Sequence, residues 1–379
     1  MNIVIIANNY PYKQSNNYVF VKQLVDKWVT MGHNCTVIAP LSITKRIKNK
    51  ILKRPYIYKY ENYNLYSPKF ISFGKISILG KIGRYLFNNA VLSTIKKEKL
   101  EIDLIYAHFM VSAGVAAAYC SERLNKPYFI AFGESTFKFE EFYAKEIINK
   151  VFNFCSGYIA VSNEVKTRLL KLPYNIDPSK IGVFPNSFDS NKFYKIDKIT
   201  VRKELGFNLD DFIIIFVGAF IERKGLMRLD QALIEINNSN IKAIYIGSGK
   251  DIPKYPYTIF KRIVKHNDIV KYLNASDIFI LPTLHEGSCN AIIEAVACGL
   301  PIISSNDTFN DDILDDSYSI RINSNNIAEI KKAIEKLYFN DVLRGKMARC
   351  ALESAKVFNL DKRANNIMNF IKTNINSKK

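Results

Sequence analysis

Residues 278–301 place a strand, a short loop and a helix in direct succession, and this unit constrains the fold more than any other stretch. Residues 278–282, which end in Pro282, form an apolar run of the kind found in buried parallel strands. Residues 291–297 are rich in helix-forming side chains, and Gly299 and Pro301 end that helix. A strand that leads directly into a helix predicts a parallel α/β sheet.

The loop between this strand and this helix carries groups suited to a phosphorylated sugar. Glu286 lies in the loop, Gly287 permits close approach of the backbone, and Ser288 or Asn290 can cap the helix. The free N–H groups and the positive dipole end at a helix start favour a phosphate. Glu294, on the first turns, can accept hydrogen bonds from hydroxyl groups. Similar units with two glutamates also occur in α/β proteins where they are only structural, so the carboxylates alone leave both interpretations open.

A second phosphate-binding signal follows Phe212–Val217, the apolar run that opens the second half of the chain. Gly218 comes directly after the run, and Arg223, Lys224 and Gly225 precede a helical stripe of leucines. A strand, a glycine and cations before a helix are typical of a diphosphate site, where lysine acts as a point charge and arginine as a fork. The alternative is a surface role for both cations, since the helix dipole disfavours positive charge at a helix start.

The first half of the chain shows the same alternation of strands and helices. The carboxyl ends of parallel strands form the edge where α/β proteins bind ligands. His108 follows one predicted strand, and Glu134 is the titratable residue in the loop after the next, so an acid–base or acceptor-positioning role there would fall to Glu134. A buried structural histidine is the alternative for His108. The predicted strands are residues 2–7, 35–39, 103–107 and 127–132, and the first predicted helix is 19–31.

Length and composition bound the class of protein. The 379 residues, of which 48% are hydrophobic, suffice for two domains. Six scattered cysteines form no Cys-x-x-Cys pair, which predicts free thiols in a reducing compartment. The N-terminal apolar run is too short for a signal peptide, and no apolar run reaches the about 20 residues of a membrane span. We therefore expect a cytoplasmic protein.

The charge is strongly positive and is concentrated in one segment. The net charge is +19, and residues 45–99 hold fourteen Lys or Arg against two acidic residues, with Tyr and Phe interleaved. This balance indicates an anionic partner: nucleic acid, a lipid surface or a phosphate-bearing substrate. We expect peripheral contact with an anionic membrane surface. Nucleic acid is disfavoured because no recognisable DNA- or RNA-binding motif accompanies the charge.

The two phosphate-binding signals together resemble the donor site of retaining nucleotide-sugar glycosyltransferases of family 4, also called glycosyl transferases group 1. Each position of the family signature after strand 278–281 is matched, at Glu286, Gly287, Glu294, Ala295, Gly299 and Pro301. The resemblance implies an α/β fold of the GT-B class, with two doubly wound Rossmann-like domains facing across a cleft.

The expected domains are an acceptor-side domain at 1–195, a nucleotide-sugar domain at 196–356 and a C-terminal helix within 357–379 that packs back on the first domain. Pro185 and Asn186 resemble the Pro–Asn segment that closes the first domain in the family, and residues 192–203 are expected to be the linker. Residues 250–274 are expected to lack a full helix, and Asp277 is expected to be a cap or turn residue.

The resemblance also implies roles for individual residues. Glu286 would hold the donor sugar and act in catalysis, and Glu294 would hold the ribose. The remaining donor-binding residues would be Gly218, Arg223, Lys224, Gly287, Ser288, Cys289 and Asn290. The candidate acceptor or phosphate loop residues are Ser15, Asn16 and His108, although residues 14–17 lack the glycine pair usual in the family. The family often has histidine at the position of Phe132 and arginine at that of Ala219, and the sequence leaves open whether Glu134 and Arg223 take those roles.

The implied activity is retaining transfer of a sugar from a nucleotide-diphosphate donor, expected to be a UDP-sugar, to a saccharide or lipid-linked acceptor. The expected process is bacterial surface polysaccharide biosynthesis, of the capsule, O-antigen or teichoic acid type. No Asp-x-Asp motif is present, so we expect neither a metal nor another cofactor. The alternatives are a nucleotide-sugar epimerase of the same fold and a nucleic-acid-binding protein. The sequence leaves the sugar, base, acceptor, linkage and oligomeric state open.

Overall fold

The computed structural model describes residues 1–12, 18–44, 54–73, 78–134 and 136–376. The chain divides into two compact units. The first comprises Met1–Phe184 together with Ala364–Lys379, and the second comprises Pro185–Arg363. Among the described residues, no helix combines the length and the apolar character that crossing a bilayer requires. All six cysteines lie in described parts of the chain and are free thiols.

The first unit is built on an eight-stranded sheet in the order β10-β9-β8-β7-β1-β2-β5-β4. Its strands pair in parallel, except that β4 runs antiparallel to β5. A separate parallel pair is formed by β3 and β6. The bounds are β1 Asn2–Ala7, β2 Asn34–Ile38, β3 Leu41–Ser42, β4 Ile57–Lys59, β5 Asn64–Tyr66, β6 Lys69–Phe70, β7 Leu104–His108, β8 Tyr128–Phe132, β9 Gly157–Ala160 and β10 Ile181–Val183.

Helices cover both faces of this sheet, because alternate residues of each buried strand point to opposite sides. Val4 and Ile6 belong to one hydrophobic cluster, and Ile3 and Ile5 belong to the other. The helices of the first cluster are α2 Ile78–Lys97, α3 Val115–Leu124, α4 Lys145–Phe154 and α5 Asn163–Leu170. The second cluster includes residues of α1 Val19–Thr30 and of α12 Leu360–Asn376, and Trp28 donates a hydrogen bond to the carbonyl of Ala364.

The second unit is built on a six-stranded parallel sheet in the order β13-β12-β11-β14-β15-β16. Its strands are β11 Phe212–Val217, β12 Ile241–Ile246, β13 Thr258–Arg262, β14 Ile278–Leu281, β15 Ile302–Ser305 and β16 Ser319–Ile322. Its helices are α6 Lys198–Leu205, α7 Leu226–Ile236, α8 Ile269–Ala275, α9 Asn290–Ala297, α10 Ile327–Tyr338 and α11 Asp341–Ala355. The doubly wound α/β architecture expected from the sequence is therefore confirmed in both units.

The strand order reverses once in each unit, and ligands of open α/β sheets bind beyond the carboxyl ends of strands at such a point. In the first unit the reversal lies between β1 and β7, and in the second it lies between β11 and β14. The loops that follow these four strands contain most of the residues singled out in the sequence. The fold therefore places them at the two edges where binding is expected.

The boundary between the units differs from the one expected at residue 195. The first unit ends at Phe184, because the following segment joins the second unit. Phe188 donates its backbone N–H to the carbonyl of Phe358, and Phe193 is buried in the core of the second unit. Residues 192–203, expected to be a linker, contain the start of α6, which Asp197 caps by accepting a hydrogen bond from the backbone N–H of Thr200.

Two further local expectations were wrong. Residues 250–274 were expected to lack a full helix, but they contain β13 and nearly all of the seven-residue helix α8. Asp277 was expected to be a cap or turn residue, whereas it forms an ion pair of 2.7 Å with the buried Arg202 and accepts the backbone N–H of Ile213. Both features depend on contacts between segments distant in sequence, which local patterns do not reveal.

Candidate active site

The loops after β11 and β14 contact each other directly in the second unit. Gly225 has a φ of +77°, and a Cβ atom at this position would lie 2.1 Å from the carbonyl oxygen of Pro282. The backbone N–H of Leu284 donates to the carbonyl of Arg223 at 2.8 Å. A side chain at residue 225 would force the loops apart, so glycine is required for this close approach.

This approach gathers the predicted diphosphate-binding cations around the first predicted glutamate. Oε1 of Glu286 lies 2.5 Å from Nζ of Lys224 and 2.9 Å from Nη1 of Arg223. The hydroxyl of Thr283 donates to the same oxygen at 2.9 Å. Arg223 also donates to the carbonyl of His285. Lys224 and Glu286 are mostly buried, whereas the Arg223 side chain is 39% exposed, so part of the guanidinium remains accessible to a ligand.

The start of α9 differs in detail from the sequence expectation. Neither Ser288 nor Asn290 caps this helix, because Cys289 is the N-cap residue and makes no side-chain cap hydrogen bond. Ser288 instead accepts the backbone N–H of Asn186 through its hydroxyl, and its carbonyl accepts the Asn186 side-chain amide, both at 3.1 Å. The side-chain oxygen Oδ1 of Asn290 is buried and has no hydrogen-bond partner among the described residues. Buried oxygens normally have a partner, so this atom is a candidate ligand contact.

Cys289 and Gly287 are buried beside these residues, and Gly218 lies at the end of β11. Burial raises the pKa of the Cys289 thiol to about 11, although the Lys224 ammonium lowers it. The thiol is therefore neutral near pH 7, and Cys289 can offer a ligand little beyond its backbone. Gly247 approaches Gly218 so closely that a Cβ there would lie 1.8 Å from the Gly218 carbonyl, which brings the loop after β12 against the loop after β11.

The second predicted glutamate has a histidine partner. Oε1 of Glu294 lies 2.8 Å from Nε2 of His266, and the Glu294 side chain is 10% exposed. The ring of Phe193 packs edge-on against His266 with the ring centroids 5.2 Å apart. His266 therefore sets the position of the Glu294 carboxylate, and Oε2 of Glu294 lies outside this contact.

In the first unit, Ser15 and Asn16 lie outside the described residues, and His108 occupies the last position of β7. His108 is buried, and its ring packs against those of Tyr18, Phe20 and Phe109. The aromatic surroundings match the structural interpretation of this histidine. Its position at the sheet edge is the one that the sequence indicated.

Glu134 holds the loops after β7 and β8 together. One carboxylate oxygen accepts the backbone N–H of Met110 and the other accepts that of Gly133, both at 3.1 Å. Desolvation by burial raises the pKa of Glu134 to about 7, although these backbone donors and the charge of Arg168 lower it. The carboxyl group of Glu134 thus already has structural partners. Its acid–base role stays a prediction. Phe132 is fully buried among other aromatic rings and belongs to the core.

Two residues at the site were missed by the sequence reasoning. Thr283 contacts Glu286 but resembles an ordinary loop residue in sequence. Asn186 donates two hydrogen bonds to Ser288, which lies 102 residues further along the chain. The Pro–Asn segment that contains Asn186 was assigned to the first domain. The close spacing of Thr283 and Glu286 was a usable signal, whereas no local pattern could have linked Asn186 to Ser288.

Two doubly wound α/β units, with cations and carboxylates gathered beyond a parallel sheet, are typical of the GT-B fold. The Glycosyltransferase Family 4 model matches residues 19–192, and the Glycosyl transferases group 1 model matches residues 197–354. The chain therefore belongs to the family 4 glycosyltransferases, also called glycosyl transferases group 1, and is a transferase enzyme.

Individual relatives are similar at modest identity. The chain is 29% identical over 318 residues to TuaC of Bacillus subtilis (strain 168), a glycosyltransferase to which teichuronic acid biosynthesis is attributed, with 80% of each chain covered. It is 31% identical over 226 residues to the UDP-Gal:alpha-D-GlcNAc-diphosphoundecaprenol alpha-1,3-galactosyltransferase of Escherichia coli, covering 55% of this chain and 58% of that one. Anabaena HepE, solved in complex with UDP, has the same fold, with a TM-score of 0.75, 16% identity, and 98% and 100% of the two chains covered.

The raised pKa of Glu134 predicts a pH dependence for the stability of the first unit. The folded state binds this proton more tightly than the unfolded state does, so the resulting stabilisation is complete below pH 4.5 and is lost as the pH rises through about 7. We expect Glu134→Gln to flatten that decline. Urea unfolding at several pH values, monitored by the fluorescence of Trp28, measures the free energy of unfolding of this unit. Trp28 is suitable because it is the only tryptophan of the sequence and lies in the first unit.

The exposed Glu141→Gln is the control and should leave the pH dependence of the wild type intact. If the curves of free energy of unfolding against pH run parallel for the wild type and Glu134→Gln, Glu134 does not titrate in this range.

Proposed function

We propose that this chain transfers a sugar, with retention of the anomeric configuration, from a nucleotide-diphosphate donor to a saccharide or lipid-linked acceptor in bacterial surface polysaccharide biosynthesis. The observation that carries the proposal is the cluster of Lys224 and Arg223 around Glu286 at the strand-order reversal of the second unit. The names of the relatives point the same way: one to teichuronic acid, another to a UDP-sugar and a diphosphoundecaprenol-linked acceptor.

The donor chemistry requires positive charge where the leaving group departs. The bond between the anomeric carbon and the diphosphate breaks, and the electron pair stays with the diphosphate. A new bond forms from the anomeric carbon to the acceptor oxygen, whose proton passes to the departing diphosphate. Lys224, Arg223 and the N-terminus of α9 with Asn290 would stabilise the developing negative charge by preorganised electrostatics. Glu286 fixes both cations, so they need little rearrangement during the reaction. Retention is proposed from the family resemblance alone.

Each glutamate is proposed to serve a different part of the donor. Glu286, beside the cations, would orient the sugar, and Glu294, held by His266, would accept hydrogen bonds from the ribose. Measuring donor consumption and the products formed over a panel of nucleotide-sugars, with and without candidate acceptors, tests the proposal as a whole. Loss of the donor only when an acceptor is supplied, with a glycosylated product, is the expected result. Conversion of the sugar without an acceptor would instead identify an epimerase.

Lys224→Ala should weaken binding of both the nucleotide-sugar and the free nucleoside diphosphate. A charge-assisted contact is worth roughly 1.5–3 kcal/mol, which corresponds to a loss of about tenfold to a hundredfold in affinity. Isothermal titration calorimetry with UDP and UDP-glucose gives the comparison. Lys336→Ala, at an exposed position of α10, is the control and should bind like the wild type. Unchanged affinity in a folded Lys224→Ala variant would remove Lys224 from the site.

Substitution of the two glutamates should affect different ligands. Glu294→Gln should weaken UDP binding by about tenfold, because a hydrogen bond from a ribose hydroxyl to a charged acceptor is lost. Glu286→Gln keeps an oxygen that can accept from Lys224 and Arg223, so UDP affinity should change little, whereas turnover of the full donor should fall. The measurements are calorimetry with UDP and initial rates with the donor identified by the panel.

Glu353→Gln, at an exposed position of α11, controls for the change of charge. His266→Ala should shift UDP affinity in the same direction as Glu294→Gln, by a smaller factor. Equal loss of UDP affinity in Glu286→Gln and Glu294→Gln would refute the division of roles.

We further propose that turnover needs no metal, because the two cations supply the positive charge that a metal provides in other transferases. Addition of EDTA during initial-rate measurements should then leave turnover within about twofold of the untreated enzyme, since no step in this scheme passes through a metal. A loss of turnover that added Mg²⁺ or Mn²⁺ reverses would contradict this proposal while leaving the fold assignment intact.

The basic segment 45–99 is proposed to hold the enzyme peripherally on an anionic membrane surface. Each Lys or Arg near such a surface is worth about 1 kcal/mol, and the attraction is screened over about 10 Å at 0.1 M salt. We expect co-sedimentation with vesicles that contain phosphatidylglycerol, little with phosphatidylcholine alone, and release by high salt. Lys45, Arg46, Lys48 and Lys50 lie outside the described residues, and changing all four together to Glu should abolish binding.

A matched control reverses four exposed lysines of the second unit, Lys332, Lys336, Lys346 and Lys356, and therefore changes the net charge equally. If both reversals reduce vesicle binding to the same extent, net charge rather than the segment is responsible. Equal binding of the wild type to neutral and anionic vesicles would remove the electrostatic explanation.

A further inference from the structure

A cavity of about 380 Å³ lies in the first unit, on the helical layer formed by α2, α3 and α4. Its size falls within the roughly 300–1,000 Å³ typical of small-molecule sites. It lies apart from His108 and Glu134, neither of which lines it. The proposed transfer reaction leaves this cavity without a role.

The buried part of the cavity is mostly apolar, although Asn88, also buried, lines it and its Oδ1 has no hydrogen-bond partner among the described residues. Val115 and Ala118 of α3 and Val151 of α4 line it, and Val115 and Val151 are almost completely buried. The rings of Phe142 and Tyr143 complete this part of the lining. Such a surface favours a hydrocarbon over a sugar or a nucleotide, because it offers few hydrogen-bonding partners.

The exposed part of the lining is basic. Lys81, Arg84, Arg123 and Lys150 contribute four cations, against a single carboxylate from Glu122. That carboxylate is shared, since Glu122 pairs with Lys150 at 2.6 Å and with Arg123 at 3.4 Å. Helix α2, which supplies Lys81 and Arg84, contains no acidic residue. Four cations less one carboxylate leave an excess of three positive charges at the opening of the cavity, which favours an anionic group there.

Large apolar side chains next to these cations are exposed to solvent. Leu79, Ile82 and Tyr85 recur at every third position along α2, and Tyr85 is 55% exposed. Ile147 of α4 lines the cavity and is 44% exposed. Apolar side chains beside Lys and Arg on one surface are typical of contact with the boundary between lipid head groups and acyl chains.

We propose that this cavity binds an anionic lipid, with one acyl chain in the apolar part and the phosphate of the head group among the cations at the opening. The apolar part of the lining matches the acyl chain, and the basic part matches the phosphate. An apolar ligand would not explain the cations at the opening, and a free phosphate would not explain the apolar part. The proposal does not depend on the transfer reaction. It also differs from attraction by segment 45–99 as a whole, since it requires a defined site for one lipid molecule.

Isothermal titration calorimetry with lyso-phosphatidylglycerol, kept below its micelle concentration, tests the proposal on the full chain. We expect binding of one molecule per chain, about tenfold weaker binding of lyso-phosphatidylcholine with the same acyl chain, and no measurable binding of glycerol 3-phosphate. The last two ligands separate the head-group charge from the chain, and a lipid from free phosphate.

Two variants locate the site. Ala118→Trp fills the apolar part and should weaken lyso-phosphatidylglycerol binding by at least about tenfold, whereas Ser93→Trp, at an exposed position of α2 outside the lining, should not. Lys81→Glu should reduce the preference for the anionic head group. The fourfold reversal at residues 45, 46, 48 and 50 should lose vesicle binding but keep this one-to-one binding, which separates the two proposals.

The proposal is overturned if lyso-phosphatidylglycerol does not bind below its micelle concentration, or if Ala118→Trp binds it as well as Ser93→Trp does. It is also overturned if glycerol 3-phosphate binds equally well, which would make the site one for free phosphate. Binding of an acidic amphipathic peptide in place of the lipid would assign the cavity to a protein partner.

Discussion

The close contact between Gly225 and the carbonyl of Pro282 is the constraint on which the candidate site of the second unit depends. Because residue 225 has no side chain, the loops after β11 and β14 can share the backbone hydrogen bond from Leu284 to Arg223, and Lys224 and Arg223 reach Glu286. Two cations just before a helix start are unfavourable next to the helix dipole, and the carboxylate offsets that cost. The unit therefore holds concentrated positive charge where a diphosphate would bind.

In the first unit, a carboxyl group rather than a pair of cations stabilises the loop at the strand-order reversal. At its strand-order reversal the loop after β7 has positive φ values at Phe109 and Ser112, which side chains rarely adopt. Glu134 fixes this loop by accepting the N–H of Met110, while Asn8 donates to the carbonyl of Val111 at 2.8 Å. One carboxyl group thus secures the backbone around His108, and its burial moves its pKa toward neutrality.

The basic side chains behind the net charge of +19 have different surroundings in the two units. Arg223 and Lys224 face a carboxylate within the second unit, whereas the cations around the cavity of the first unit outnumber the single carboxylate beside them. An excess of positive charge beside apolar side chains favours binding of an amphiphile. An excess of positive charge beside hydroxyl and amide groups favours binding of a phosphorylated sugar.

The sequence by itself determined the elements and the chemistry near each strand end. Apolar runs predicted β11 with its observed bounds and β14 to within one residue, and the motif around Glu286 and Glu294 predicted the family, because periodicity and loop chemistry are local properties. Only the tertiary structure decided the pairing of Glu286 with Lys224, of Glu294 with His266, and of Asn186 with Ser288. It also placed Phe132 in the core and moved the boundary between the units to Phe184. These outcomes depend on strand order and on how closely loops approach, which bring together residues far apart in the chain.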